Sequence, residues 1–511
     1  MKLIAWTVMA ACLTLTACGG DDVSTTGSAS SSGPSSPGGG GNTGGGNTGG
    51  GNTGGGNTGG GNTGGGTSQA KAGWSQAVAL DGKTVAFEPS TTIDANGDTL
   101  VTWMTNGPTG AIGNEMWGAR YVPGAGWGTA TRLDTGDGTH AMTGPGTIQP
   151  QLVGNAAGQA VAFWTEWMPG PNTYALWARP FSPGAGWGAP YEVAPDVTSS
   201  TYTAGIDGKG NALVAFPQAT GILDTRIAWT RYTPDGTWSP TTQIQMPAQT
   251  GPGAVTGDTF NVRPVISVLS SGSAVLAWGQ TNHTQSAIWT ATYDAANGWT
   301  NVNPAVTDTS LFTNIDTPTV GMDAKGNITL VWGQLDVANG KIMTTTMSQR
   351  YVAGTGWQAA KPVAPEITEV SGFIATPILA VSENGAAGVM WAEGGAVLKV
   401  SVADTDGNWG PLQTLSEHLN SLAGQLPPLV IDDAGNVTAA WQDMGTSGSS
   451  NIVTSSYRNG TWSAMTLGQD PQSSSWPALA VNAAGGMALI WENYIEDVGQ
   501  QIQTAFYTPG H

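Results

Sequence analysis

The chain has little cysteine, little charge and few cations. Its two cysteines, Cys12 and Cys18, both lie near the start of the 511 residues, so nothing after residue 18 can form a disulfide or a thiolate metal site. The four histidines (His140, His283, His418 and His511) stand far apart and lack metal-ligand spacing, so neither a metal nor a cofactor is expected. Charged residues make up 10% of the chain, with 16 Lys and Arg against 35 Asp and Glu and a formal net charge of −19. Nucleic acid and anionic lipid headgroups need a basic surface to displace their counterions, so neither is an expected partner. No apolar run is long enough to span a bilayer.

Glycine (77) and tryptophan (22) are abundant instead. So much tryptophan is incompatible with a disordered chain and requires a large packed region. From Gly19 to about Ala70 the sequence is mostly Ser, Gly, Asn and Thr, with five copies of GGGNT. Such a segment buries no core and reads as a flexible tether with a mean reach of about 40 Å.

The first residues, MKLIAWTVMAACLTLTACGG, place Lys2 before a short apolar run, the pattern of a secretory signal peptide. The end of that run, LTAC (Leu15 to Cys18), resembles the lipobox of bacterial lipoproteins. The resemblance implies cleavage before Cys18, lipidation of Cys18 and a membrane anchor. Gly19 stands where an inner-membrane retention aspartate would be, which implies the outer membrane. The expected organisation is residues 1–17 as signal peptide, 18–70 as lipidated cysteine and linker, and 71–511 as one folded region.

That region repeats. Gly97, Gly158, Gly210, Gly272, Gly326, Gly385, Gly435 and Gly485 are each followed six residues later by Trp103, Trp164, Phe216, Trp278, Trp332, Trp391, Trp441 and Trp491. Eight residues before each glycine come Pro89, Pro150, Tyr202, Pro264, Pro318, Pro377, Pro427 and Pro477. The unit P-x7-G-x5-W reads as a strand starting at the proline, a tight turn with a left-handed glycine, and an apolar second strand buried on both faces. An alternating third strand and a second turn lead to a fourth strand. That second turn ends in Trp74, Trp127, Trp187, Trp238, Trp299, Trp357, Trp409 and Trp462. Its first copy precedes the first unit, and the last unit stops without a fourth strand. The N-terminal GWSQAVAL therefore completes the final sheet. The expected fold is all-β, an eight-bladed β-propeller of four-stranded blades closed by an N-terminal strand. The repeats are similar in plan to sialidase-like and NHL-type propellers, and to an eight-bladed envelope lipoprotein that assists outer-membrane protein assembly. The sialidase Asp-box S-x-D-x-G-x-T-W is not met.

Two connections in each unit vary in length and composition, and in a propeller both open on one face. They include residues 134–149, 246–263, 364–376 and 416–425. Irregular loops on a rigid scaffold are where function concentrates. Two residues beyond each second-strand aromatic stands a polar residue: Thr105, Glu166, Gln218, Gln280, Gln334, Glu393, Asp443 and Asn493. These read either as caps on strand ends or as a ring of carboxylates and amides that binds a sugar or peptide. Three functions remain open. The first is a lipid-anchored module binding glycan or protein through its loop face. The second is a glycan-active enzyme, a sialidase-like hydrolase or a polysaccharide lyase, using carboxylates such as Glu166, Glu393 and Asp443. The third is an outer-membrane assembly scaffold. No catalytic constellation is evident in the residue pattern.

Overall fold

A computed structural model describes residues 73–80, 86–106, 114–134, 141–142, 150–168, 173–197, 201–220, 224–247, 260–282, 285–308, 318–338, 341–364, 368–369, 376–420, 427–444, 449–468, 474–496 and 499–510. The expected signal peptide, Cys18 and the expected linker lie outside the described residues.

Each proline-to-tryptophan unit folds into one antiparallel sheet, and there are eight, with no helix among the described residues. In the first blade the strands run Ala86–Ile93, Thr99–Asn106, Asn114–Val122 and Gly126–Trp127, the last continued by Thr131–Arg132. In the seventh they run Leu429–Ile431, Val437–Met444, Ser450–Arg458 and Thr461–Gly468. The eighth has Ser474–Val481, Met487–Ile495 and Gly499–Thr508, and the N-terminal Gly73–Trp74 and Val78–Ala79 supply its missing edge. Trp74 pairs with Tyr507 and Val78 with Thr504, joined by Ser75 N–H to Phe506 O at 2.7 Å. Chain ends thus share a sheet, and the eighth blade packs on the first.

The repeated glycine makes the turn: all eight have φ between +79° and +100°. Many turns begin with an aspartate whose Oδ1 accepts from two backbone N–H groups of the same turn, as Asp207 does from Lys209 (2.9 Å) and Asn211 (2.8 Å). The other oxygen points at the next blade. Asp94, Asp207, Asp323 and Asp432 place Oδ2 2.9–3.0 Å from the point where a Cβ would stand on Gly158, Gly272, Gly385 and Gly485.

The repeated aromatic wedges between blades. Trp164 packs with Phe87, Met104 and Met116 of the first blade, Phe216 with Val161 and Leu176 of the second, and Trp441 with Met390 and Val400 of the sixth. Trp103 closes the circle by packing on Ile490 and Ile502 of the eighth. The second-turn tryptophans serve a different contact, lying against a ring at the end of the third strand; Tyr121–Trp127, Tyr351–Trp357 and Trp74–Tyr507 have centroids 5.4–5.5 Å apart.

One expectation needs correction. The first strand does not always begin at the proline. In the first, fourth and eighth blades it starts earlier, as Ala86–Ile93, Phe260–Val268 and Ser474–Val481, with Pro89, Pro264 and Pro477 inside it. Each of these prolines sits at a bulge that sets two residues against one aromatic, Trp103, Trp278 or Trp491. A bulge accommodates proline because no ladder N–H is needed there. The residue before it, Glu88, Arg263 or Trp476, turns left-handed with φ of 51°, 48° or 52°.

Gly158→Ala should lower the melting temperature more than Gly124→Ala. Both glycines have positive φ, but only at Gly158 does Asp94 stand within 3 Å of the added carbon. Left-handed strain alone costs about 1 kcal/mol, so the excess in Gly158→Ala, read by thermal unfolding, measures the crowding by Asp94 across the seam together with Pro183 Cγ, 3.0 Å away in the same blade.

Candidate functional site

The two faces of the ring differ. On the face carrying the glycine turns, neighbouring blades are tied directly. Ala95 N–H donates to Ala156 O at 3.1 Å, Gly208 N–H to Ser270 O at 3.0 Å and Ala324 N–H to Glu383 O at 2.8 Å. Asn155 Nδ2 donates to Asp207 O at 2.9 Å and Asn482 Nδ2 to Asp94 O at 3.0 Å. Glu383 also accepts from the Ser270 N–H at 2.6 Å, reaching from the sixth blade to the fourth. Such a face is occupied by its own structural bonds. The second strands end on the opposite face, where most of the variable connections fall outside the described residues.

The eight polar residues expected there as a ring divide into two sets. In three blades the inner strand reaches far enough to pair with them: Ala86 opposite Thr105, Asn261 opposite Gln280 and Ser474 opposite Asn493. In the second blade a separate short strand, Ala141–Met142, sets Met142 opposite Glu166. All four are 5% exposed or less. Three of them hold hydrogen bonds inside the sheet. Trp164 Nε1 donates to Glu166 Oε1 at 3.0 Å, Trp289 Nε1 to Gln280 Oε1 at 2.8 Å and Ser474 Oγ to Asn493 Oδ1 at 3.1 Å. Glu166 further lies in the field of Arg132, which forks onto Asp134 at 2.6 and 2.9 Å and pairs with Glu115 at 2.8 Å. Thr105, Glu166, Gln280 and Asn493 are therefore buried within the sheets.

In the other four blades the described inner strand starts at Thr203, Thr319, Ile378 and Leu429, opposite Ala215, Val331, Met390 and Ala439. The polar residue stands three or four positions beyond that first pair, and Gln218, Gln334, Glu393 and Asp443 are half-exposed. In the seventh blade His418 and Asn420 of the preceding connection bond to Met444 and Gln442 on either side of it, at 2.8 and 3.0 Å. Three of the half-exposed residues belong to the consecutive fifth, sixth and seventh blades, which form a polar arc. Glu393 accepts from Trp391 Nε1 at 3.4 Å and stands 4.0 Å from Lys399 Nζ. Asp443 accepts from Ser416 Oγ at 2.8 Å, and Leu419 bridges to it. Gln218 stands apart in the third blade and accepts from Gln243 Nε2 at 3.1 Å. Beside the arc, Met444 exposes 51% of its surface.

Residue types alone did not reveal a second feature, a buried acid pair at the closing seam. The bulge at Glu88 frees its backbone N–H from the ladder, and that N–H donates to Glu492 Oε1 at 2.7 Å. Ser475 Oγ and Gln500 Nε2 donate to Glu492 Oε2 at 3.3 and 3.4 Å. Burial pushes the Glu492 carboxyl up to about 8; these hydrogen bonds pull it down and the Glu88 charge pushes it up again. Both side chains are almost fully buried, so the pair serves the seam between the eighth and first blades. The available signal was an acid directly after the aromatic in LIWEN, where the other units place Met, Thr, Pro, Gly, Ala or Gln.

The remaining sequence candidates are scattered. Of the histidines only His418 is described, and no metal-holding group of His, Cys, Asp and Glu occurs among the described residues. The third-strand tryptophans Trp117, Trp177 and Trp289 lie opposite the second-strand aromatics, whereas Trp229 is shifted to face Ala215.

No protein-family model matches the chain, and no curated protein matches it. Among solved structures, the polysaccharide lyase Uly1 aligns at 10% identity over 85% of this chain and 99% of its own, with a TM-score of 0.46. A protein of unknown function from Dyadobacter fermentans aligns at 10% identity over 84% and 97%, with a TM-score of 0.39. The intramolecular trans-sialidase from Ruminococcus gnavus aligns at 11% identity over 86% and 98%, with a TM-score of 0.34. Likeness this weak carries nothing about activity or ligand.

The Glu492 carboxyl predicts a pH dependence. Its pKa rises on folding from an ordinary 4.5 to about 8, so the native state holds the proton more tightly. Its contribution is full below the unfolded value and is lost as pH rises through the folded one. Thermal unfolding between pH 5 and 9 should show stability falling toward the alkaline side, and Glu492→Gln should flatten that slope. An equal slope in the variant would assign the dependence to other groups.

Proposed function

We propose that the protein is an envelope lipoprotein, anchored through Cys18 to the outer membrane, whose propeller binds a neutral glycan on its loop-bearing face. The anchor rests on the LTAC motif at the end of the apolar N-terminal run, followed by Gly19. The observation that supports the binding reading is the partial exposure of Gln334, Glu393 and Asp443 at the same repeat position of three consecutive blades, the fifth, sixth and seventh. Carboxylates and amides accept from and donate to hydroxyl groups in the fixed directions a saccharide presents. A polyanion is disfavoured, because the described cation on the arc, Lys399, already faces Glu393. The long linker would hold the disc clear of the membrane.

Binding of the full-length protein to an array of neutral and charged glycans tests the reading. Glu393→Ala with Asp443→Ala should abolish retention of a neutral glycan, while Gln218→Ala, outside the arc, should leave it intact. Retention confined to sulfated or uronate-rich glycans, or unaffected by the paired substitution, would remove the arc from consideration. Cys18→Ser should release the protein from the membrane fraction and eliminate fatty-acid incorporation; a variant that stays membrane-bound would overturn the anchor.

A further inference from the structure

The second-strand tryptophans carry a buried donor whose partner differs from blade to blade. In the second blade Trp164 Nε1 donates to Glu166, and in the fourth Trp278 Nε1 donates to Asn261 Oδ1 at 2.9 Å, an acceptor brought by the extended inner strand. In the sixth, Trp391 Nε1 reaches Glu393 at 3.4 Å. In the fifth and seventh blades, Trp332 and Trp441 are 1% exposed and their indole N–H groups have no hydrogen-bond partner among the described residues. Other unpaired indoles, of Trp127, Trp177 and Trp299, lie on second turns or a third strand, away from this position.

An unpaired donor in an apolar setting costs about 1–3 kcal/mol, and its cause here is local. No described residue of the fifth or seventh blade brings an acceptor to this position as Asn261 does in the fourth. In the seventh blade the residue two beyond the tryptophan is Asp443, one methylene shorter than the glutamates that accept from Trp164 and Trp391, and its carboxylate is turned to Ser416. By the repeat, both donors point along the second strand toward the loop-bearing face, beneath Gln334 and Asp443. They flank Glu393 on the same polar arc.

We infer that the arc recognises an acetamido sugar, with the indole N–H groups of Trp332 and Trp441 donating to carbonyl oxygens of the ligand. This rests on the glycan reading above and refines it. A neutral amide carbonyl is the acceptor that suits a donor in an apolar slot, since it brings no charge to desolvate. Its methyl group suits the exposed Met444 at the edge. Sugar hydroxyls engage Gln334, Glu393 and Asp443 around it. A peptide also carries carbonyls, yet it offers few hydroxyls to an arc of carboxylates and amides, so the sugar is the better fit.

The third blade supplies the control substitution, because phenylalanine already occupies this position there as Phe216, fully buried. Trp332→Phe and Trp441→Phe keep the packing and delete the donor. The full-length protein, labelled with 15N in its indoles and assigned with these two variants, would be titrated with N-acetylglucosamine oligomers, with their deacetylated forms and with glucose oligomers. The expected result is binding of the acetylated oligomers only, with downfield shifts of the Trp332 and Trp441 indole protons. Each phenylalanine variant should weaken binding by about tenfold. Asp443→Glu, whose longer arm can accept from Trp441, should raise the melting temperature and weaken binding together. Glucose oligomers binding equally well with both indole signals unmoved would overturn the acetamido inference and leave the glycan reading standing. No binding of any oligomer would overturn the acetamido inference, and no retention on the wider glycan array would overturn both.

Discussion

Everything in this protein depends on one contact made eight times, the second-strand aromatic buried against the preceding blade. A four-stranded sheet with two apolar faces cannot exist alone in water; it is stable only between two like itself. The aromatic lies within the apolar cluster at each seam, and burying it contributes roughly 2–3 kcal/mol before packing is counted. A turn glycine, an aspartate that caps one turn and presses on the next, and a proline that tolerates a lost N–H all keep that side chain in register. Their fixed spacing in the chain follows from the fixed distance between turn and wedge.

That arrangement explains how much could be read from residues alone. Blade number, strand order and the shared closing sheet were legible because each follows from a local period or an offset between two periods. Gly97 to Trp103 and its seven counterparts encode a turn and a wedge without reference to anything distant. Where the inner strand begins was not legible. Pro89 and Pro318 look identical in the motif, yet Pro89 lies inside its strand and Pro318 just before one. Glu88 meets Glu492 across more than four hundred residues, and no period announces it.

The candidate site shows the same division. The positions of the eight polar residues were predicted from alternation along the strand. Their separation into four buried and four half-exposed groups was not, since Glu166 and Glu393 are chemically alike and differ only in burial. The seam beneath is the same in both sets.

Closure by the N-terminal strand has a consequence for assembly. Contacts within a blade span a few tens of residues, but Phe506 N–H bonds to Ser75 across 431 positions. As the chain is made the early blades can form in turn, each leaning on its predecessor, while the first keeps an uncovered side. Only the final strand removes that open flank, so the chain is most vulnerable to proteolysis and to pairing with other chains in the interval just before its last residues become free.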